Sequence, residues 1–343
     1  MRLLVLFGGR SAEHEISCRS AATVAAAADP NRYEVVTIAI TPKGQWVAPM
    51  TGGPTLVASG APVDADAVLA GADVVFPVLH GPFGEDGTLQ GRLEMADVAY
   101  VGTGVLGSAL CMDKAMAKAA LAASGLPQVR YRVLRDTAFD DAALDDSVLA
   151  EISDDLGFPL FVKPANLGSS IGVSLVTDDL ALERAVALAR SYDEWLVFEE
   201  AVVGRELECG LLGYPALRPS VPGEVTPGRD YYDFDDKYTL GAADLVVPAA
   251  LHPAMAAQVR KLAVSAADAL RVEGLARVDF LYEEGGRGLL VNEINTMPGF
   301  TSISMYPRMW AASGLALAEL VDELVDAALA RHAHRSGRVG RLR

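Results

Sequence analysis

The chain has 343 residues, with 29 Lys+Arg against 45 Asp+Glu and a formal net charge of −16. That balance excludes the basic footprint of a nucleic-acid binder or a polybasic membrane surface. A composition that is 51% hydrophobic and 22% charged excludes a disordered chain. The three cysteines, Cys18, Cys111 and Cys209, form no CxxC, so neither a disulfide framework nor a structural zinc site is expected, and a reducing, cytoplasmic setting is. At roughly 150 residues per domain, the length suggests two to three domains.

Leu3–Phe7 reads as a buried strand ending in Gly8-Gly9-Arg10, too short an apolar run for a signal peptide. Ser11–Asp29 reads as an Ala-rich helix stopped by Pro30, and Tyr33–Ile40, Val74–Leu79 and Ala99-Tyr100-Val101 as further strands. No run of residues is long and apolar enough to span a bilayer. Strands alternating with helices imply a parallel sheet covered on both faces, with ligands at the strands' carboxyl ends. Gly8-Gly9 and His80–Gly87 both lie at such ends, in a first α/β lobe taken as residues 1–114.

Asp113–Ser124 is a second Ala-rich helix, closed by Gly125 and Pro127. The strands Leu160–Lys163, Val173–Val176 and Trp195–Glu199, with a helix over Leu180–Ser191, then point to antiparallel pairing and an α+β lobe over 115–212. A third α+β lobe, 213–330, holds a polar aromatic stretch (Tyr231–Tyr238), a helix (His252–Leu270), a hairpin (Ala276–Asn295) and a final helix (Leu315–Ala330). Arg331–Arg343, with five arginines and almost nothing apolar, reads as a flexible, solvated tail.

Gly102-Thr-Gly104-Val-Leu-Gly107 matches the dinucleotide fingerprint GxGxxG, but no acid stands about 20 residues on to hold a ribose. It also follows three strands instead of opening the fold, so a tight-turn loop is the better reading.

The C-terminal hairpin is the most informative segment. Side chains alternate along a strand, so Arg277 and Asp279 share a face, as do Glu293 and Asn295. Pairing centred on Gly286 sets Asp279 opposite Glu293 and Arg277 opposite Asn295. Three oxygen ligands beside one guanidinium suit Mg²⁺. A surface salt-bridge ladder explains the hairpin equally well, and the glycine- and hydroxyl-rich loop Thr296–Ser302, directly beyond the acids, favours the metal. Lys163-Pro-Ala-Asn-Leu-Gly168-Ser169-Ser170-Ile-Gly172 is a flexible hairpin loop able to close over phosphates, with Lys163 at its root, although alone it reads as a mobile surface hairpin. Glu199 and Glu200 end a strand, where acids are usually solvated or, beside a nucleotide, can hold ribose hydroxyls. Glu15 suits a helix start through the dipole alone, or an ammonium ligand. His80 is a ligand contact or a structural turn histidine.

Taken together, Gly8–Glu15, His80–Gly91, Met112-Asp-Lys114, Lys163–Gly172, Tyr232–Tyr238, Arg277–Asp279 and Asn292–Ser304 resemble, in order, the ATP-grasp enzymes, and closely the D-alanine–D-alanine ligases. The resemblance spans nearly the whole chain apart from 135–155 and the tail. It implies an ATP-grasp fold with a Rossmann-like first lobe. It also implies a homodimer that joins two D-alanines with ATP and two Mg²⁺ or Mn²⁺ ions, for peptidoglycan precursors, with no nucleic acid or membrane partner. On this resemblance Lys114 and Lys163 hold the phosphates under the loop bearing Gly168, Ser170 and Gly172. Glu199, Glu200 and the backbone near Val202 meet the adenine, and Glu206 the ribose. Asp279, Glu293 and Asn295 carry the metals, with Glu293 bridging. Arg277 and the Gly299 N–H face the oxyanion. Glu15, Ser169 and Tyr238 form a triad fixing the first D-alanine, with Lys237 beside it on the γ-phosphate, and Tyr231–Tyr238 is the lid. His80, Glu85, Ser304 and Met305 line the substrate sites. Met305 stands where leucine is commoner, and Ala201 replaces a bulkier residue near the adenine. The implied alternatives are a D-lactate or D-serine variant, or another carboxylate–amine ligase. Outside that class remain an oxidoreductase using Gly102–Gly107 and a non-catalytic nucleotide-binding module, which would have no use for Arg277 beside metal ligands.

Overall fold

Strand β1 (Arg2–Gly8) sends alternate side chains into two cores. In the computed structural model, which describes residues 1–52, 55–139, 146–226 and 244–338, β1 is followed by α1 (His14–Ala27), β2 (Glu34–Ile40), β3 (Trp46–Val47), β4 (Met50–Gly52), β5 (Thr55–Val57), α2 (Ala65–Ala70), β6 (Val74–Val78), α3 (Thr88–Met95) and β7 (Ala99–Tyr100). The sheet order is β3-β2-β1-β6-β7, parallel except at the β2–β3 edge. Leu3, Val5 and Phe7 pack with Ala21 and Val24 of α1, while Leu4 and Leu6 pack with Leu69, Leu89 and Leu93 on the opposite face. This is the doubly covered parallel sheet expected from the sequence. At its carboxyl edge Gly8 has φ +88°, and a Cβ there would stand 2.3 Å from the Ile40 carbonyl oxygen, so only glycine fits the turn.

α4 (Val105–Met112) and α5 (Lys114–Ala123) lead to β8 (Tyr131–Arg135), α6 (Asp146–Leu156), β9 (Leu160–Pro164), β10 (Ser174–Val176), α7 (Asp179–Arg190) and β11 (Trp195–Glu200). Their antiparallel sheet has the order β10-β9-β11-β8. One face is sealed by α6 and α7 through Ile152, Leu182 and Val186 against Val162 and Phe198.

The third sheet is built from β12 (Arg205–Gly213), β13 (Arg218–Pro219), β14 (Gly223–Thr226), β15 (Asp244–Val246), β16 (Gly274–Glu283) and β17 (Gly288–Asn295), with α8 (Pro253–Ala269) between β15 and β16. Leu207, Cys209 and Leu211 of β12 and Ala276, Val278 and Phe280 of β16 bury against Val259, Ala263 and Ala266 of α8. The alternate residues of β16, Arg277 and Asp279, are only half-buried and lie on the other face. α9 (Met305–Ala312) and α10 (Leu317–Ser336) follow.

One expectation changes here. The arginine tail does not begin at Arg331, because α10 continues to Ser336 and Arg331 is buried at 3% exposure. Its guanidinium donates to the Tyr100 carbonyl at 2.8 Å and to the Gly102 carbonyl. Leu320, Val321, Leu324 and Val325 also place α10 in the first lobe's core. The GxGxxG segment is a structural joint: Gly102 accepts from Arg331, and Thr103 Oγ1 donates 2.9 Å to the Glu273 carbonyl at the root of β16. The aromatic stretch Tyr231–Tyr238, with Lys237, lies outside the described residues.

Candidate active site

The hairpin pairs as its pattern predicts: Arg277 faces Asn295 and Asp279 faces Glu293, before a bulge shifts the register at Phe280. On the other side Asp279 faces Glu208 of β12. Three carboxylates thus line up across three strands, an arrangement that repels itself unless a cation intervenes. Arg277 is that cation. It grips Asp279 through two hydrogen bonds of 2.7 and 2.6 Å and lies 3.2 Å from Glu208. Asn295 Oδ1 accepts from the Met297 N–H at 3.0 Å, at the start of the next loop. Among the described residues no group of three His, Cys, Asp or Glu side chains forms a metal-ligand cluster. The set on offer is two carboxylates, Asp279 and Glu293, with the Asn295 amide oxygen. It is oxygen-only and suited to a hard divalent cation that completes its shell with water and phosphate.

The second cluster lies on the central sheet. Glu199 is buried between two lysines, Lys163 at 2.6 Å and Lys118 at 3.0 Å. Burial alone would raise its pKa, but the two ammonium groups outweigh that and hold it down at about 2. Glu293 and Glu206 both act on Lys163, and Glu293 also on Lys118, so the lysines of this sheet look onto the acids of the third. Lys114, at the start of α5, donates to the Leu167 carbonyl and pins the root of the 164–173 loop, while the Asn166 N–H binds Asp193 at 2.7 Å.

A third set of contacts closes the end of the cleft. Ser169 donates to Glu13 at the head of α1, and Gly168 lies against the same carboxylate. Ser169 and Ser170 both hold positive φ, 53° and 58°, which is uncommon outside glycine. Glu85 accepts from the Gly81 N–H at 2.5 Å and from the Met297 N–H at 3.0 Å. Burial, and then the nearby Glu13 charge, push its pKa up to about 8. His80 Nδ1 donates to the Met297 carbonyl at 2.8 Å, so Nε2 of the neutral ring accepts from Ser20 Oγ at 3.1 Å, and Ser20 in turn accepts from the Phe300 N–H. Burial lowers the His80 pKa, in keeping with that neutral tautomer. His80 and Glu85 therefore hold the 296–300 loop in place. At its centre is Gly299, where a Cβ would stand 2.8 Å from Ser304 Oγ.

Several expected residues are placed differently. Glu13, buried, meets Ser169, whereas Glu15 is exposed on the outside of α1. Both ring nitrogens of His80 are taken up inside the protein, which makes it a support of the loop. Glu200 points to the face opposite Glu199, as strand alternation requires, and binds Arg130 at 2.9 Å and Arg287 at 2.5 Å. Burial acts to raise the Glu200 pKa, but the hydrogen bonds from these arginines lower it overall. Met305 packs inward with Val225 and Met309. Ser304 Oγ bonds Thr301 at 2.7 Å, and Glu206 stands on β12 within the field of Lys163. Gly172 follows in the 164–173 loop, and Val202 lies in the short link between β11 and β12. Lys237 and Tyr238 lie outside the described residues. Sequence reasoning missed Glu13, Lys118 and Glu208. A signal for Glu208 was present, since it alternates with Leu207 and Cys209 on the face that carries Glu206.

Residues 2–103 match the family described as D-ala D-ala ligase N-terminus, and residues 120–326 its C-terminus. A D-alanine–D-alanine ligase of Solibacter usitatus is 47% identical over 97% of this chain and 96% of its own, and one of Nocardia farcinica is 48% identical over 96% and 98%. Among solved structures, the D-alanine–D-alanine ligase of Coxiella burnetii aligns with TM-score 0.82 at 33% identity, covering 98% of this chain and 96% of that one. The VanG D-Ala:D-Ser ligase of Enterococcus faecalis aligns with TM-score 0.82 at 31% identity, covering 96% and 99%.

Proposed function

The chain belongs to the D-alanine–D-alanine ligase family, and we propose that it joins two D-alanines at the expense of ATP in the cleft between its sheets. The observation that carries this reading is the Asp279–Glu293 pair, opposed across the hairpin and tied to Arg277, on the side that faces Lys163.

A carboxylate is a poor acyl donor because its leaving group would be oxide, and phosphorylation makes that group phosphate. In the first step the carboxylate of one D-alanine attacks the γ-phosphate of ATP to give an acyl phosphate and ADP. In the second, the amine of another D-alanine attacks the acyl carbon and phosphate departs. Lys114 and Lys163 bind the phosphates, the loop carrying Gly168, Ser170 and Gly172 covers them, Glu199 and the Val202 backbone receive the base, and Glu206 the ribose. Asp279, Glu293 and Asn295 would hold Mg²⁺ or Mn²⁺, two ions in all, which would supply positive charge to neutralise the transferring phosphoryl group. Arg277 and the Gly299 N–H are aimed at the tetrahedral oxyanion, where one missing donor costs about 3–4 kcal/mol. Glu13 takes the ammonium of the first D-alanine with Ser169 beside it, and the acyl phosphate has to be kept from water until the second amine arrives.

The same reading makes the protein a cytoplasmic homodimer that supplies the dipeptide for peptidoglycan precursors. Three buried free cysteines support a reducing compartment, and among the described residues no helix is long and apolar enough to cross a membrane. Light scattering tests the dimer. The function is tested by phosphate release from ATP with D-alanine alone, L-alanine alone, and D-alanine with D-lactate or D-serine. Release is expected with D-alanine, yielding the dipeptide. No release with D-alanine overturns the reading, and a mixed product as the main species moves it to a D-lactate or D-serine ligase.

A further inference from the structure

Glu199 has one more cation than it needs. Lys163, on β9, takes one of its oxygens at 2.6 Å with its side chain 15% exposed. Lys118, on the buried face of α5, takes the other at 3.0 Å with its side chain 3% exposed. The Tyr131 ring stands 5.3 Å from the Lys118 ammonium. The two lysine side chains outnumber the one carboxylate they share, inside a chain whose total is −16, while Glu293 acts on both and Glu206 on Lys163 from the third sheet.

A pair of Lys163 and Glu199 alone would satisfy both groups. A second buried lysine loses its hydration for no structural need that the first leaves unmet. Its effect is on the pair itself. With Lys118 behind it, Glu199 is already neutralised and its hold on Lys163 is divided. Without Lys118, Glu199 and Lys163 form a closed one-to-one pair, and an anion entering the cleft must break that pair to reach the lysine.

We propose that Lys118 is a positioning residue that holds Glu199 from behind and so leaves the charge of Lys163 available to the phosphates of a nucleotide. The inference rests on the nucleotide reading of the cleft given above. Lys118 touches no phosphate and acts only through Glu199.

The test is calorimetric titration with Mg·ADP and, separately, with adenosine, which offers the same base and ribose without charge. Lys118→Met keeps the aliphatic stem and leaves Glu199 paired to Lys163. It is expected to weaken ADP binding on the order of ten- to a hundredfold, the range of a moderate coupling between sites, while adenosine binding stays within about twofold. Lys118→Arg keeps the charge and should restore most of the ADP affinity. In a Glu199→Gln background, where Lys163 is released in any case, Lys118→Met should bring little further loss. Equal ADP affinity in wild type and Lys118→Met overturns the proposal, as does an equal loss for ADP and adenosine, which would mark a merely structural role. So does a full Lys118→Met penalty in the Glu199→Gln background. Wild-type protein that binds no ADP overturns the nucleotide reading, and this proposal with it. Wild type that binds ADP but releases no phosphate with D-alanine removes the ligase reading and leaves Lys118 to be judged on the titrations alone.

Discussion

Ser169 and Glu13 are 156 residues apart in the chain and share a hydrogen bond, the serine hydroxyl donating to the carboxylate. The bond ties the 164–173 loop of the central sheet to the head of α1 in the first lobe, so it sets how far the loop reaches over the cleft. A hydrogen bond to a charged group contributes about 1.5–3 kcal/mol. Ser169→Ala and Glu13→Gln should each lower kcat/KM for D-alanine by roughly ten- to a hundredfold, and combining them should cost much less than the sum. Glu15→Gln, on the exposed side of α1, should change it less than about twofold. Initial-rate kinetics on the four variants decide the matter, and a large effect at Glu15 with none at Glu13 would reverse the assignment.

The acids of the hairpin give a sharper outcome. Glu293 faces Asp279, whose two oxygens are engaged by Arg277. Glu293→Gln keeps the shape and removes one of the two carboxylates offered to a divalent cation. Turnover should fall below detection, while ADP without metal still binds, since the lysines on the central sheet are untouched. Full activity in Glu293→Gln would contradict the metal assignment.

The hairpin was also the part of the site most legible in the sequence. A period of two and a short glycine turn suffice to set Asp279 against Glu293 and Arg277 against Asn295, and the structure pairs them so. The same period tells against Glu200 as a partner of Glu199, because neighbours on a strand face opposite ways. Glu13 and Glu15 were harder to separate. Both stand near the start of α1, and the choice between them depends on where the 164–173 loop arrives from the far side of the cleft. Lys118 was hidden for the same reason: on an Ala-rich helix a lysine reads as solvent-facing until Glu199 is brought to it by a long-range strand pairing. The end of α10 is the opposite case. Leu320, Leu324, Ala328 and Arg331 continue one helical stripe, so the apolar face announced that Arg331 belongs to the helix, and the run of arginines concealed it.

Glu85 carries a pH dependence with a definite sign. Its folded-state pKa is raised to about 8 by burial and by Glu13, against a usual value near ~4.3. Between those two values the folded protein holds a proton that the unfolded chain has released. The stability from this group is therefore fully present below about pH 4.3 and is lost as pH rises through about 8. Glu85→Gln lowers stability overall, since an amide accepts only one of the Gly81 and Met297 N–H bonds. It also removes the titration. Urea unfolding between pH 5 and pH 8.5 should show the wild type losing stability relative to Glu85→Gln as pH rises, and parallel curves would rule out Glu85 as the source.

Arg331 provides the test of how the final helix is joined to the first lobe. Its guanidinium donates to the carbonyls of Tyr100 and Gly102 and stacks 4.3 Å from the Tyr100 ring centroid. Arg331→Met keeps most of the volume but strands two buried carbonyl oxygens, each at a cost of about 1–3 kcal/mol. A loss of about 2–6 kcal/mol in unfolding free energy is expected by urea denaturation. Arg331→Lys should fall between, because one ammonium cannot reproduce the planar fork that reaches both carbonyls. Arg331 contacts Tyr100, Gly102 and Glu273 and none of the residues proposed to hold the nucleotide, so KM for ATP should stay within about twofold in whatever fraction remains folded. An Arg331→Met protein as stable as the wild type would mean that the helix is held by its leucine stripe alone, and that the buried guanidinium is neutral in the balance.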